Sequence, residues 1–338
     1  MAARQPRPVA WYRTPLDPQI LKSLHEKSDG LGALQSVGYL GVLIATGTTA
    51  LYAAGHWPLA VTILLVFLHG MCASFLINAV HELTHGTVFR TKWLNELFVR
   101  IFAFIGLIGF EIFQTSHARH HQYTLHPPDD QEVVLPIRLM IKHFFVRGFV
   151  NVMGIYPTIK GTLRIARGKF EGEWELTLFP ESKPERRRAP IHWARTLIIG
   201  HGLILVLSIY FKLWLLPILV TLPNFYGGWL FFLCNNTQHI GLQDNVPDFR
   251  LCCRTFILNP VVRFLYWHMN YHIEHHMYAA VPCYKLGRLH QLIQHNLPPC
   301  PRGIIATWKE IAAIQKLQDE NPEYQHAPPL PAPQTAYR

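Results

Sequence analysis

The chain has 338 residues, 50% of them hydrophobic and only 15% charged, against about 25% Asp, Glu, Lys and Arg in ordinary soluble domains. That deficit argues against a conventional soluble enzyme and for one unit that uses lipid as part of its solvent. The formal net charge is +10, from 31 basic and 21 acidic side chains; in a charge-poor chain this marks loops facing one membrane leaflet, and no nucleic-acid partner is expected.

Residues 1–36 read as a cytoplasmic N-terminal segment, of which Met1 to Glu26 is polar and proline-containing, without an apolar core of signal-peptide length. Apolar runs follow at 37–55 and 58–80, joined by Gly55-His56-Trp57-Pro58, then at 97–115, and finally at 194–211 and 213–233, joined around Lys212. A spanning helix needs about 20 residues, so the first and last pairs predict four transmembrane helices in two hairpins. Trp57 and Trp214 at the turns suit an interfacial belt. With both turns on one side, thirty of the 31 basic residues lie on the other, which the positive-inside rule makes cytoplasmic. Both termini are then cytoplasmic.

The run 97–115 begins and ends on that same side, which predicts one interfacial or re-entrant helix. Residues 138–188, with Arg186-Arg187-Arg188, read as an insertion near anionic headgroups or as a solvated charge run. The proline-rich tail from Pro322 reads as disordered. The expected fold is an all-α membrane protein carrying a cytoplasmic helical cap, organised as an N-terminal segment (1–36), a membrane domain (37–300) and a C-terminal segment (301–338). Cys72, Cys234, Cys252, Cys253, Cys283 and Cys300 form no Cys-x-x-Cys pair and read as buried or reduced thiols.

Three of the histidine groupings carry chemistry. His81-Glu82-Leu83-Thr84-His85 ends the second run, His117-Ala118-Arg119-His120-His121 follows the third, and His272-Ile273-Glu274-His275-His276 lies beyond the last. On a helix, residues three and four apart share a face, so each cluster presents its imidazoles together. Imidazole suits iron, zinc, copper and nickel, and all three clusters fall on the basic, cytoplasmic side. Eight imidazoles are too many for one ion, so two metals are the natural count. Asn235 and His239, one helical turn apart after the fourth run, are further candidates.

The spacing His-x3-His, His-x2-His-His, His-x2-His-His, with the paired hairpins, resembles the membrane fatty acid desaturase superfamily over roughly residues 37–300. That resemblance implies a non-haem di-iron centre with O2 as co-substrate. Its ligands would be His81, His85, His117, His120, His121, His239, His272, His275 and His276, with Asn235 acting through water and no further catalytic residue. It also implies a lipid or acyl substrate entering from the bilayer and an external electron donor of ferredoxin or cytochrome-b5 type, since neither Gly-x-Gly-x-x-Gly nor a His-Pro-Gly-Gly haem segment is present. The expected reaction is desaturation. The alternative on the same scaffold is hydroxylation or ketolation of a lipid, sphingoid or carotenoid substrate, and the sequence leaves oligomeric state open.

His81 to His85 also matches His-Glu-x-x-His, the zinc-protease pattern, but that reading leaves two histidine clusters without a role. Glu82 reads equally as a partner to an imidazole N–H or as a solvated side chain. Asp129, Asp130 and Glu132 read first as a proline-led surface turn, and second as partners to the imidazoles or to a polar headgroup. His69 and His201, inside apolar runs, read as satisfied buried imidazoles before channel-lining ones. His126 and His268, close to the clusters, read equally as orienting or structural.

Overall fold

The computed structural model describes residues 8–332. Among them the regular structure is helical, with isolated bridges in place of strands. In chain order the helices are α1 (Pro18–His25), α2 (Asp29–His56), α3 (Leu59–Ala73), α4 (Leu76–Thr84), α5 (Lys92–Ile105), α6 (Phe110–Tyr123), α7 (Ile141–Gly148), α8 (Val152–Ala166) and α9 (Glu173–Leu178). They continue with α10 (Pro184–Tyr210), α11 (Leu215–Val220), α12 (Trp229–Asn235), α13 (Phe249–Cys252), α14 (Pro260–Leu265), α15 (His272–Met277), α16 (Leu286–Ile293) and α17 (Ile304–Glu320). The chain divides into two compact units. One comprises residues 29–116 and 139–232, the other the remaining described residues, 8–28, 117–138 and 233–332.

The first unit holds three helical stretches long and apolar enough to cross a membrane: Asp29–His56, Leu59–Thr84 and Pro184–Tyr210, of mean hydropathy 1.4, 2.3 and 1.5. At 1.5 Å per residue each exceeds the roughly 30 Å hydrocarbon thickness. Leu59, Ile63 and Leu64 on α3 and Ile199, Leu203 and Val206 on α10 point outward, a patch that water would penalise and lipid would not. His69 is bonded at both ring nitrogens, to Thr46 Oγ1 and the Leu219 carbonyl, each at 2.9 Å. His201 is likewise bonded to Thr221 Oγ1 and the Phe104 carbonyl. Both are satisfied ties between segments, as the plainer reading of each expects.

Two sequence expectations are revised here. The run 213–233 is not one helix: it breaks into α11, a short 3-10 turn at Pro223–Phe225, and α12. Pro223 offers no N–H to continue a helix, and Gly227 turns the chain at φ +70. The break serves close packing, because a Cβ on Gly227 would lie 2.5 Å from Met71 N and Phe67 O, and one on Gly70 would lie 2.2 Å from the Tyr226 ring. The run 97–115 is likewise two helices, α5 and α6. They are separated at Gly106-Leu107-Ile108-Gly109, where Leu107 takes φ +51 and the Ile108 carbonyl accepts from Trp193 Nε1 at 2.8 Å.

The second unit is assembled from three distant stretches. Trp11 stacks on Phe249 at 4.1 Å and donates Nε1–H to the Gln122 carbonyl, and Tyr12 donates its hydroxyl to Asn296 at 2.8 Å. Short bridges join Tyr12 to Asp248, Thr255 to Tyr271 and Ile257 to Arg302. Residues 322–332 have no regular structure but are attached: the His326 N–H donates to the Gly241 carbonyl and Gln325 Nε2 to Asp244, both at 2.8 Å. Proline removes donors without preventing docking, which is why a tail read as disordered holds specific contacts there; residues 333–338 lie outside the described residues.

Candidate metal centre

Box one lies in the unit that carries the apolar spans. His81 is on α4 and His85 caps it, their ring centroids 4.9 Å apart. Glu82 is fully buried and its Oε1 lies 3.0 Å from His81 Nδ1. Glu82 is therefore an imidazole partner and not a solvated carboxylate. Burial pushes the His85 pKa down to about 4.

The other seven imidazoles of the expected set lie in the second unit. His117, His120 and His121 share the last turns of α6, His272, His275 and His276 occupy α15, and His239 sits in the turns after α12. Because α12 stops at Asn235, the helical turn expected between Asn235 and His239 is not helix; Asn235 is half-buried at the helix end. His117, His121 and His275 offer ligand atoms within 4.8 Å of one another, with His121 Nε2 and His275 Nε2 3.1 Å apart. His239, His272, His276 and Cys253 form a second such group. Its Nε2 atoms are 3.0 Å apart between His239 and His272 and 3.2 Å between His272 and His276. The His120 ring lies beside this group, 5.4 Å from His239 and 5.0 Å from His276 between centroids.

The partners on the far side of these rings fix which nitrogen carries the proton. His120 Nδ1 faces Asp130 Oδ2 at 2.8 Å, His117 Nδ1 faces Glu132 Oε1 at 2.7 Å, and His239 Nδ1 faces the Cys252 carbonyl at 2.7 Å. A carboxylate or carbonyl can only accept, so each ring donates from Nδ1 and leaves a lone pair on Nε2. Thr124 gives its hydroxyl proton to the His120 carbonyl at 2.7 Å, so it must accept from His276 Nδ1 at 3.2 Å. The His276 Nε2 is then also a bare lone pair. His272 Nε2 sits between two such lone pairs, and one ring proton cannot satisfy both. A cation placed among them removes the conflict, so the residues present fit a metal site.

Electrostatics agree with this. Burial, reinforced by neighbouring histidines, lowers the pKa of His272 and His276 well below the usual imidazole value, and His239 falls to about 3. The imidazoles are thus held neutral, as metal ligation requires. His120 moves the other way: burial opposes its charge, but the hydrogen bond and charge of Asp130 outweigh that. Asp130 is lowered in turn, the His120 contacts and the Leu125 and Glu132 N–H groups overcoming its own burial.

The turn after box two, read from sequence first as a surface feature, is therefore part of the centre. Asp130 is fully buried and Glu132 largely so, and each holds an imidazole, whereas Asp129 pairs with Arg119. Thr124 and the Cys252 carbonyl were missed entirely; the signal for Asp130 was a carboxylate ten residues after His120. His126 donates Nδ1–H to the Thr124 carbonyl at 2.8 Å and so braces the residue that holds His276. His268 is half-buried in the turn after α14 with φ +60.

A family model described as fatty acid desaturase matches residues 55–308. No curated protein matches the sequence. The family match spans most of the chain and includes all three histidine boxes together with His239 and Asn235, so the chain belongs to the fatty acid desaturase family.

Proposed function

We propose that this chain is an integral membrane, non-haem di-iron oxidoreductase that desaturates a fatty-acyl or lipid-like chain. Acyl chain, O2, two electrons and two protons would give an alkene and two waters. The observation that carries this reading is the convergence of imidazoles whose Nδ1 partners aim bare Nε2 lone pairs at one another. In the proposal the metal ligands are those the family resemblance implies, His81, His85, His117, His120, His121, His239, His272, His275 and His276, with Asn235 acting through water. Iron held there would supply the oxygen activation needed to break an unactivated C–H bond, the two electrons coming from the external donor.

The protein's own residues prepare that chemistry. Glu82, Asp130, Glu132 and the Cys252 carbonyl hold the rings in register, the kind of outer support that governs metal affinity. Burial of His120, His239, His272, His275 and His276 keeps bulk water from the ligands. A zinc-protease role fits less well, because Glu82, which would have to face a metal-bound water, is engaged with His81 Nδ1.

The helices with outward apolar faces support lateral entry of a lipid substrate from the bilayer. The basic excess supports a cytoplasmic orientation of the termini and boxes, and steering of an acidic ferredoxin or cytochrome-b5-type donor. The test is metal analysis of the purified protein, combined with lipid mass spectrometry in a host expressing it with a matched reductase. Iron near two per chain and a product lighter by two hydrogens support the proposal. A product heavier by one oxygen makes the enzyme a hydroxylase, and one zinc per chain with oxygen-independent activity overturns the reading.

A further inference from the structure

The second group of ligand atoms contains a sulfur that the histidine-box pattern does not include. Cys253 Sγ lies within 4.8 Å of the ligand atoms of His239, His272 and His276, and the residue is 1% exposed. Its position is fixed from both flanks. On one side, the Cys252 carbonyl accepts from His239 Nδ1. On the other, Arg254 donates its backbone N–H to the Gln238 carbonyl at 2.8 Å and Nη1 to the carbonyls of Thr237 and Ile240 at 2.7 and 3.1 Å. The segment carrying Cys253 is thus stitched to the turn that carries His239.

A second set of bonds runs to box three. Thr255 bridges Tyr271, the Phe256 N–H donates to the Asn270 carbonyl at 3.0 Å, and the Ile273 N–H donates to Thr255 Oγ1 at 3.1 Å. The residues that follow the thiol are thus bonded to both ligand-bearing segments, which makes its position part of the construction of the site. Cys252, its neighbour in sequence, supplies its carbonyl to the same site.

We infer that Cys253 is a metal ligand, so that the two metals of the centre are chemically unequal: one held by nitrogen alone, the other by imidazoles and one sulfur. Coordination replaces the S–H bond by a metal–sulfur bond and releases one proton to solvent, with no change of oxidation state. A thiolate among neutral imidazoles brings one negative charge and pushes electron density onto its metal. The inference rests on the metal-centre reading above, and its test separates the two.

The experiment is X-ray absorption on the purified, iron-loaded full chain, with cobalt-substituted protein in parallel for its near-ultraviolet thiolate-to-metal band. The expected result is a sulfur scatterer at about 2.3 Å, the metal–thiolate distance known for zinc, together with that band. Both should be lost in Cys253→Ser and kept in Cys252→Ser. Bound metal with only nitrogen and oxygen scatterers in the wild-type protein overturns the assignment of Cys253 and leaves the histidine centre standing. Sulfur signals that survive Cys253→Ser overturn it as well. Absence of bound metal removes both readings, and because the wild-type spectrum decides on its own, a variant that fails to fold does not block the test.

Discussion

Replacing Asp130 by Asn probes whether the acidic turn builds the metal centre. Asp130 Oδ2 lies 2.8 Å from His120 Nδ1 and accepts the Leu125 N–H at 2.9 Å, while Oδ1 accepts the Glu132 N–H at 2.9 Å. Asn keeps the volume but exchanges one acceptor for a donor. With the amide nitrogen toward His120, the ring must give up its Nδ1 proton, and its Nε2 lone pair is lost to the other tautomer. With the nitrogen toward Glu132, the ring keeps an acceptor but loses the negative charge. A charge-assisted hydrogen bond contributes about 1.5–3 kcal/mol and a neutral one about 0.5–1.5 kcal/mol. The difference is on the order of tenfold, at about 1.4 kcal/mol per decade, and outer-shell substitutions typically cost about 10–100-fold in metal affinity.

Competition of the purified protein against a graded chelator series, read by elemental analysis, measures this directly. Asp129→Asn is the control, because Asp129 faces Arg119 at 3.4 Å in a half-buried pair and its amide keeps an acceptor for that guanidinium; its metal affinity should stay within about twofold. Wild-type affinity in Asp130→Asn, or an equal loss in the folded Asp129→Asn protein, would refute the role given to the turn.

His120→Ala and His275→Ala should each abolish activity and lower metal content while membrane insertion, judged by alkaline extraction, is unchanged; full activity in either would remove that residue from the ligand set. The lowered pKa values of His85, His239, His272 and His276 mean that the folded, metal-free chain binds fewer protons than the unfolded one. Their stabilising contribution is complete above about pH 6.5 and is lost as pH falls toward the values of about 4 for His85 and about 3 for His239. Thermal midpoints in detergent should therefore drop between about pH 6.5 and 4, and a flat profile would contradict the buried, neutral assignment. Gly227→Ala should destabilise the apolar unit by roughly 1–3 kcal/mol. Its Cβ would meet Met71 N and Phe67 O at 2.5 Å and its φ is +70, so an unchanged melting midpoint would argue against that close approach.

The histidine boxes were legible because ligation chemistry at i, i+3 and i+4 is a local pattern that survives without tertiary information. So were the hairpin formed by α2 and α3 and most of α10, where composition alone decides. The breaks were harder. Gly227 and Leu107 turn the chain within runs whose apolar content is continuous, and what selects the break is contact with α3 in one case and with Trp193 in the other. Asp130 and Glu132 sat in a segment whose prolines and charges look like any surface turn, and only the return of that turn onto α6 buries them. Cys253 was invisible for the same reason. Its neighbours in space come from residues 239 and 272–276, and no spacing rule links them to a cysteine between.

The unit carrying seven of the nine imidazoles is stitched from the segment at Trp11 and Tyr12, the stretch after Ser116, and the carboxy-terminal third, with Asn296 as one of its anchors. During synthesis Trp11 and Tyr12 are made long before their partners Phe249 and Asn296 exist, an extreme of non-local assembly. The imidazoles of this unit, carried by residues 117–121, 239 and 272–276, therefore meet only once the carboxy-terminal third has been made.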